Sequence, residues 1–293
     1  MKKILLALIA PLATASAMAQ SDPLWMRFPA ISPDGKTVAF SYKGDIWTVP
    51  ANGGQARQIT TNPAYDAYPV WSPDSRQIAF ASSREGSLDV YVVGKDGGVP
   101  RRVTTDSGDE YPMAWRTDST IMLKASIMPK ATSIMFADFS QVYEVSDKGG
   151  RMRLFSDIPM EDISVGKDGA MLYHDKKGYE DPFRKHHQSP ICRDIWLYKG
   201  GNYTKLTNFA GEDRNPVWGN DANTYYYLSE EDGTFNVYKR HLGETAKTQL
   251  THYKGNPVRY LTRAADGTLC YAYDGAIYTL KEGSQPVRLN LTT

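Results

Sequence analysis

The chain has 293 residues, 34 Lys and Arg against 33 Asp and Glu, and a formal net charge of +1. Such a balance argues against a nucleic-acid binder, which needs a basic surplus. A hydrophobic fraction of 41% with 12% aromatics excludes wholesale disorder and is enough for a sizeable core.

Residues 1–19 read as a secretory signal. Lys2-Lys3 form the charged start, residues 4–12 the apolar stretch, and Ala17-Met18-Ala19 a small-x-small cleavage site. Cleavage leaves a mature chain from Gln20 and removes two cations, giving 32 bases against 33 acids. No later segment approaches the roughly 18 apolar residues of a membrane span. The expectation is an exported, periplasmic protein without a membrane span. Its two cysteines, Cys192 and Cys270, fall in non-adjacent repeats and are read as free thiols.

From about residue 24 onward a four-part phrase repeats six times. Its first part is a turn built on Asp: Ser32-Pro33-Asp34-Gly35, Ser72-Pro73-Asp74-Ser75, then the turns at Asp118, Asp168, Asp221 and Asp266. Asp followed by Gly or Ser tolerates the positive φ of a tight hairpin. Alternating runs such as Val38-Ala39-Phe40 and Ile78-Ala79-Phe80 follow, as half-buried strands do. The third part is a β-branched residue before an aromatic one: Ile46-Trp47, Val90-Tyr91, Val142-Tyr143, Ile195-Trp196, Val237-Tyr238 and Ile277-Tyr278, spaced by 40 to 53 residues. Recurring once per repeat, these aromatics are assigned to packing between repeats. A Gly turn and a short strand ending in Thr close most units, as at Thr60, Thr104, Thr207 and Thr251.

Four short antiparallel strands per unit is the size of a propeller blade. The expected fold is all-β: a six-bladed β-propeller of four-stranded antiparallel blades over 20–293. The blades cover roughly 24–61, 62–105, 106–157, 158–207, 208–251 and 252–293. All run in one phase, so the ring is expected to close by packing of the first blade on the last, without a shared strand.

Departures from the repeat are where function is sought, since propeller loops near the channel carry it. Blade 2 has only a short turn with Arg84 where blade 4 has an insertion, 174–193. Arg184, Lys185, His186 and His187 in that insertion form a cationic cluster suited to a carboxylate or a peptide C-terminus. The alternative is an insertion that merely covers the channel mouth. No third ligand stands at a metal-like spacing beside His186-His187. Blade 3 carries an insertion at 126–140 with Met128, Met135, Phe136 and Phe139, read as an extension of its core, the alternative being a surface that packs on a neighbouring domain. Acids recur between blades, at Asp66, Asp109-Glu110, Glu161-Asp162 and Glu212-Asp213. Their recurrence suggests turn acids that accept backbone N–H groups, and their charge could filter ligands by sign.

Catalytic motifs are missing: there is no His-Glu-x-x-His, Gly-x-Ser-x-Gly, phosphate loop or dinucleotide fingerprint. Ser164 and Lys167 match a Ser-x-x-Lys pattern by chance. No carboxylate dyad stands out, and nothing calls for a cofactor or a metal. The residues describe a binding or gating module.

The Ser-Pro-Asp-Gly, Ile-Trp, Asn-Gly-Gly, Ile-Thr phrase of blade 1 and its echo in blade 2 resemble the propeller repeats of TolB and of tricorn proteases. Phe183-Arg184-Lys185-His186-His187-Gln188, Arg193-Asp194-Ile195-Trp196 and Gly211-Glu212-Asp213-Arg214-Asn215-Pro216 resemble the tricorn-like secreted serine peptidases in particular. The small α/β domain that precedes the propeller in TolB-like chains has no counterpart between the leader and blade 1. In tricorn-like peptidases the six-bladed propeller precedes a second propeller and the catalytic domains. The resemblance therefore implies a non-catalytic propeller that guides or gates peptides or products. Its partners would be peptides or unfolded polypeptide and downstream protease domains, the chain stopping before the catalytic ones. Arg84, Arg184, Lys185, His186, His187, Glu212, Asp213 and Arg214 are the candidates for peptide binding or for lining the pore. The rivals are a free-standing periplasmic, TolB-like protein-binding propeller and a six-bladed hydrolase with a channel metal, such as a lactonase.

Overall fold

The computed structural model describes residues 23–127, 140–178 and 188–293. The expected insertion core around Met128, Met135, Phe136 and Phe139 lies outside them, as do Arg184, Lys185, His186 and His187.

Six four-stranded antiparallel sheets follow one another along the chain, each ordered from inner to outer strand as in the sequence. Their inner strands are Arg27–Ile31, Asp66–Trp71, Glu110–Thr117, Met160–Val165, Asp213–Trp218 and Arg259–Arg263. The architecture is the expected all-β six-bladed propeller. Second strands are apolar on both faces because each is sandwiched between neighbouring blades. Thr224–Ser229, Thr-Tyr-Tyr-Tyr-Leu-Ser, is buried along its whole length.

Each boundary between blades holds one apolar cluster. Between blades 1 and 2, Ala39, Ile46 and Ile59 meet Trp71, Phe80 and Tyr91. The boundary of blades 6 and 1 is closed by Val38, Phe40 and Val49 against Cys270, Ile277 and Leu289. Tyr143 and Tyr238 sit in two of the other clusters, so these repeated aromatics do pack between blades. Indole N–H groups add a bond across two boundaries: Trp71 Nε1 donates to the Ala30 carbonyl (2.8 Å) and Trp115 Nε1 to that of Val70 (3.1 Å).

No described blade mixes strands from both chain ends. Beyond the apolar contact, the ends meet through a short ladder that the sequence did not suggest. Leu291–Thr292 runs parallel to Gly54–Gln55, part of the split fourth strand of blade 1. Gly53 precedes it at φ +89°, where a Cβ would run into the Asn290 carbonyl.

The repeated turn residues act as read. Asp34 Oδ1 accepts the Ser32 hydroxyl (2.6 Å) and the Lys36 N–H (3.1 Å), and Asp74 repeats both bonds. The closing Thr has a job of its own. Thr60, Thr104, Thr207 and Thr251 each accept, through Oγ1, the N–H of the β-branched residue in the third strand, at 2.8–2.9 Å. Both cysteines are buried free thiols, and burial pushes that of Cys270 up to about 12.

Candidate functional site

Every inner strand slips register against its neighbour in a β-bulge, twice in blade 3 and once in each of the others. In five blades the bulge holds a non-glycine residue with left-handed backbone: Phe28, Tyr68, Asp162, Asn215 and Tyr260. A bulge re-aims side chains in this way, and left-handed backbone is uncommon outside glycine. With Tyr111 of blade 3 they form a ring. The Phe28 ring lies 4.1 Å from that of Tyr68 and 4.6 Å from that of Tyr260, while Tyr68 meets Tyr111 edge-on at 5.3 Å. Opposite them, Asn215 Nδ2 donates to Asp162 Oδ2 (2.7 Å). The ring bounds a cavity of about 550 Å³ lined by the inner strands of all six blades. Its walls are largely apolar, with Trp71, Trp115 and Trp218 among them.

Beside the ring, blades 3 to 5 gather a network of charges. Lys124 Nζ bonds Glu161 Oε1 at 2.8 Å, and His174 Nε2 stands 3.5 Å from Glu161 Oε2. The Asn215 N–H donates to His174 Nδ1 (3.2 Å), which places the imidazole proton on Nε2. Arg193 Nη1 donates to Glu212 Oε1 (2.7 Å), and the same oxygen accepts Arg214 Nε. Arg214 also lies 5.1 Å over the Phe235 ring. Burial works to raise both glutamates. The His174 hydrogen bond and the Lys124 ammonium overcome it at Glu161 and hold that carboxyl far below its usual range. The guanidiniums of Arg214 and Arg193 do the same for Glu212, held at about 2.

Of the residues singled out in the sequence, Glu212 and Arg214 come together here, both buried and paired. Asp213, between them in the chain, points the other way and hydrogen-bonds Ser229 and Thr207; burial pushes it up to about 7. Arg84 stands apart in blade 2, bonded to Asp66 (2.7 Å) and stacked 4.9 Å over the Tyr91 ring. The inter-blade acids bond mainly side chains, contrary to the turn-acid reading. Only Asp109 accepts a backbone N–H as expected, that of Leu88 (2.9 Å). Asp66, Glu161, Asp162 and Glu212, on or beside inner strands, pair instead with Arg84, Lys124, the Asn215 amide, and Arg193 and Arg214.

Lys124, His174 and Arg193 were not legible as partners, because contact across blades has no sequence spacing. The ring had a signal that went unused. Its residue precedes a proline in four blades: Phe28-Pro29, Tyr68-Pro69, Tyr111-Pro112 and Asn215-Pro216. Among the described residues no three His, Cys, Asp or Glu side chains group as metal ligands. No helix there is long and apolar enough to cross a membrane.

Glu110 is the inverse of Glu212. It is fully buried, and neither carboxylate oxygen has a cationic or amide partner. Burial pushes it up to about 7, beside the Asp89 carboxylate. The native state therefore holds a proton that the unfolded chain releases near 4.5. Stability from this group is full below 4.5 and falls as pH rises towards 7. Glu110→Gln keeps the neutral shape at every pH. Its unfolding free energy in urea should match the parent at pH 4 and exceed it at pH 8, by about 3 kcal/mol. Equal free energies at pH 8 would contradict a buried, protonated Glu110.

Fold and site together define a six-bladed propeller with a central cavity lined by its inner strands and a charged network beside its ring. The chain belongs to the family of the tricorn protease N-terminal beta propeller domain, which matches residues 23–286. It is 25% identical over 275 residues to tricorn protease homolog 1 of Streptomyces coelicolor, covering 92% of this chain and 25% of that protein. The crystal structure of the tricorn protease superposes with a TM-score of 0.76 at 19% identity, over 91% of this chain and 26% of that one. The β-propeller domain of the trilobed protease from Pyrococcus furiosus gives 0.55 at 16% identity, over 90% of this chain and 81% of that one. The chain thus spans about a quarter of the length of its Streptomyces relative.

Proposed function

We propose that this chain is the non-catalytic propeller of an exported, tricorn-like serine peptidase, and that it guides or gates peptides on their way to or from the catalytic domains. The observation that carries the reading is the central cavity: a largely apolar space of about 550 Å³ lined by the inner strands of all six blades. An extended peptide is a suitable occupant, since apolar walls accept side chains and the ring's polar members meet backbone or terminal groups. Family membership supports the association with protease domains. Export rests on the leader read in residues 1–19.

Photo-cross-linking tests the path. A peptide carrying benzoylphenylalanine, irradiated with the full chain, should label the inner strands Arg27–Ile31, Asp66–Trp71 and Arg259–Arg263. Labelling confined to outer strands, or peptide hydrolysis by the purified chain, would overturn the reading.

A further inference from the structure

The ring is built at a conformational cost. Among the described residues, Phe28 (φ 52°), Tyr68 (59°), Asp162 (50°), Asn215 (49°) and Tyr260 (61°) all hold left-handed backbone at one equivalent place. Left-handed backbone is strained for residues other than glycine. What the strain sets up is chemically uneven, with aromatic faces on one arc and a carboxylate on the other.

Among the described residues, no Lys or Arg forms an ion pair with that carboxylate. Asp162 is 54% exposed and lines the cavity. Among the described residues, the only basic side chain within ion-pair reach is His174, whose Nδ1 stands 3.6 Å away. This nitrogen accepts the Asn215 N–H, so it offers Asp162 a lone pair and no proton. Lys124 and Arg193 make their bonds to Glu161 and Glu212 instead. The other contact of Asp162 is a neutral amide, Asn215 Nδ2. Asp162, Phe28, Tyr68 and Tyr260 all line the same cavity, so carboxylate and rings share one volume. A carboxylate and aromatic rings on the walls of one cavity are suited to a cation: the carboxylate takes the charge and hydrogen bonds, and the ring quadrupoles attract what remains.

We propose that the ring is a binding site for a primary ammonium group, carried into the channel by a peptide, with Asp162 as its counter-ion and Phe28, Tyr68 and Tyr260 as its aromatic wall. The inference rests on the channel being a peptide path and adds what that path selects. An α-amino terminus and a lysine side chain offer the same chemistry.

The test compares three C-terminally amidated peptides on the full chain by calorimetry: tetra-alanine amide, its N-acetylated form, and N-acetyl-trialanyl-lysine amide. The free amine should bind at least tenfold more tightly than the acetylated peptide. The lysine peptide shows whether a side-chain ammonium gains as well; either result with that arm supports the site and names the source. Asp162→Asn, which keeps an acceptor for Asn215, should bring free and acetylated peptides within about twofold. Tyr68→Leu should lower the preference several-fold, with a melting temperature recorded for both variants. Equal affinity for free and acetylated peptides, or a preference that survives in a folded Asp162→Asn, would overturn the ammonium site and leave the peptide path standing. Binding of none of the three would overturn the path itself.

Discussion

Glu212→Ala should lower stability by about 3–5 kcal/mol, and the melting temperature by roughly 10 °C. The reason is what stays behind. Arg193 and Arg214 converge on one carboxylate oxygen, and all three residues are buried. Removing the acid strands two guanidiniums in a poorly solvated layer between blades 4 and 5. Arg193 would keep only the longer contact to Glu161 Oε2, at 3.5 Å. Glu212→Gln keeps an acceptor oxygen and should lose roughly half as much. The pH profile separates charge from shape. The folded carboxyl is held at about 2, below the ordinary 4.5, so its contribution is full above 4.5 and is lost as pH falls towards 2. Glu212→Gln should therefore show a shallower loss of stability in that acid window than the parent. A Glu212→Ala protein that melts within a degree of the parent would show that the network does not hold the blades.

Blade number and phase were legible because they rest on local chemistry repeated six times. Asp34 and Asp74 close their own turns, and in four blades the closing Thr bonds a residue only 12 to 14 positions away. Such pairs leave a trace in spacing. The candidate site was less legible, because it is assembled from residues that share nothing in sequence. Lys124 reaches Glu161 across 37 positions, and Asn215 reaches Asp162 across 53. Glu212, Asp213 and Arg214 illustrate the limit. As neighbours they read as one polar patch, yet the strand's alternation sends Asp213 towards Thr207 and Ser229 while its two neighbours join Arg193. Arg84 illustrates another. A cation in a short loop reads as exposed, but stacking on Tyr91 and pairing with Asp66 make it part of the wall of blade 2. The β-bulge was the missing step. It turns one residue per blade out of the alternation, so a pattern of period two cannot show where that side chain points.

Phe80→Ala tests whether the blade boundaries also set the ring. Phe80 is fully buried among Ile46, Ile59, Trp71 and Tyr91 where blades 1 and 2 meet. Truncating a buried phenylalanine costs about 3–5 kcal/mol through lost transfer energy and the cavity left behind. Arg84 would also lose the ring over which it sits at 5.6 Å. By contrast, Val99→Ala on an outer strand, where Val99 is 95% exposed, should change stability by less than about 0.5 kcal/mol. The same boundary carries the Trp71 bond to the Ala30 carbonyl and, at the channel, the Phe28–Tyr68 contact. Blades 1 and 2 cannot shift against each other without moving both. Phe80→Ala should therefore weaken binding of the free-amine peptide as well as lower the melting temperature, although Phe80 is not among the residues lining the cavity. A variant that loses several kcal/mol yet binds that peptide as the parent does would mean that the ring is held by its own bulges alone. A loss of both together places the control of the constriction in the packing between the sheets.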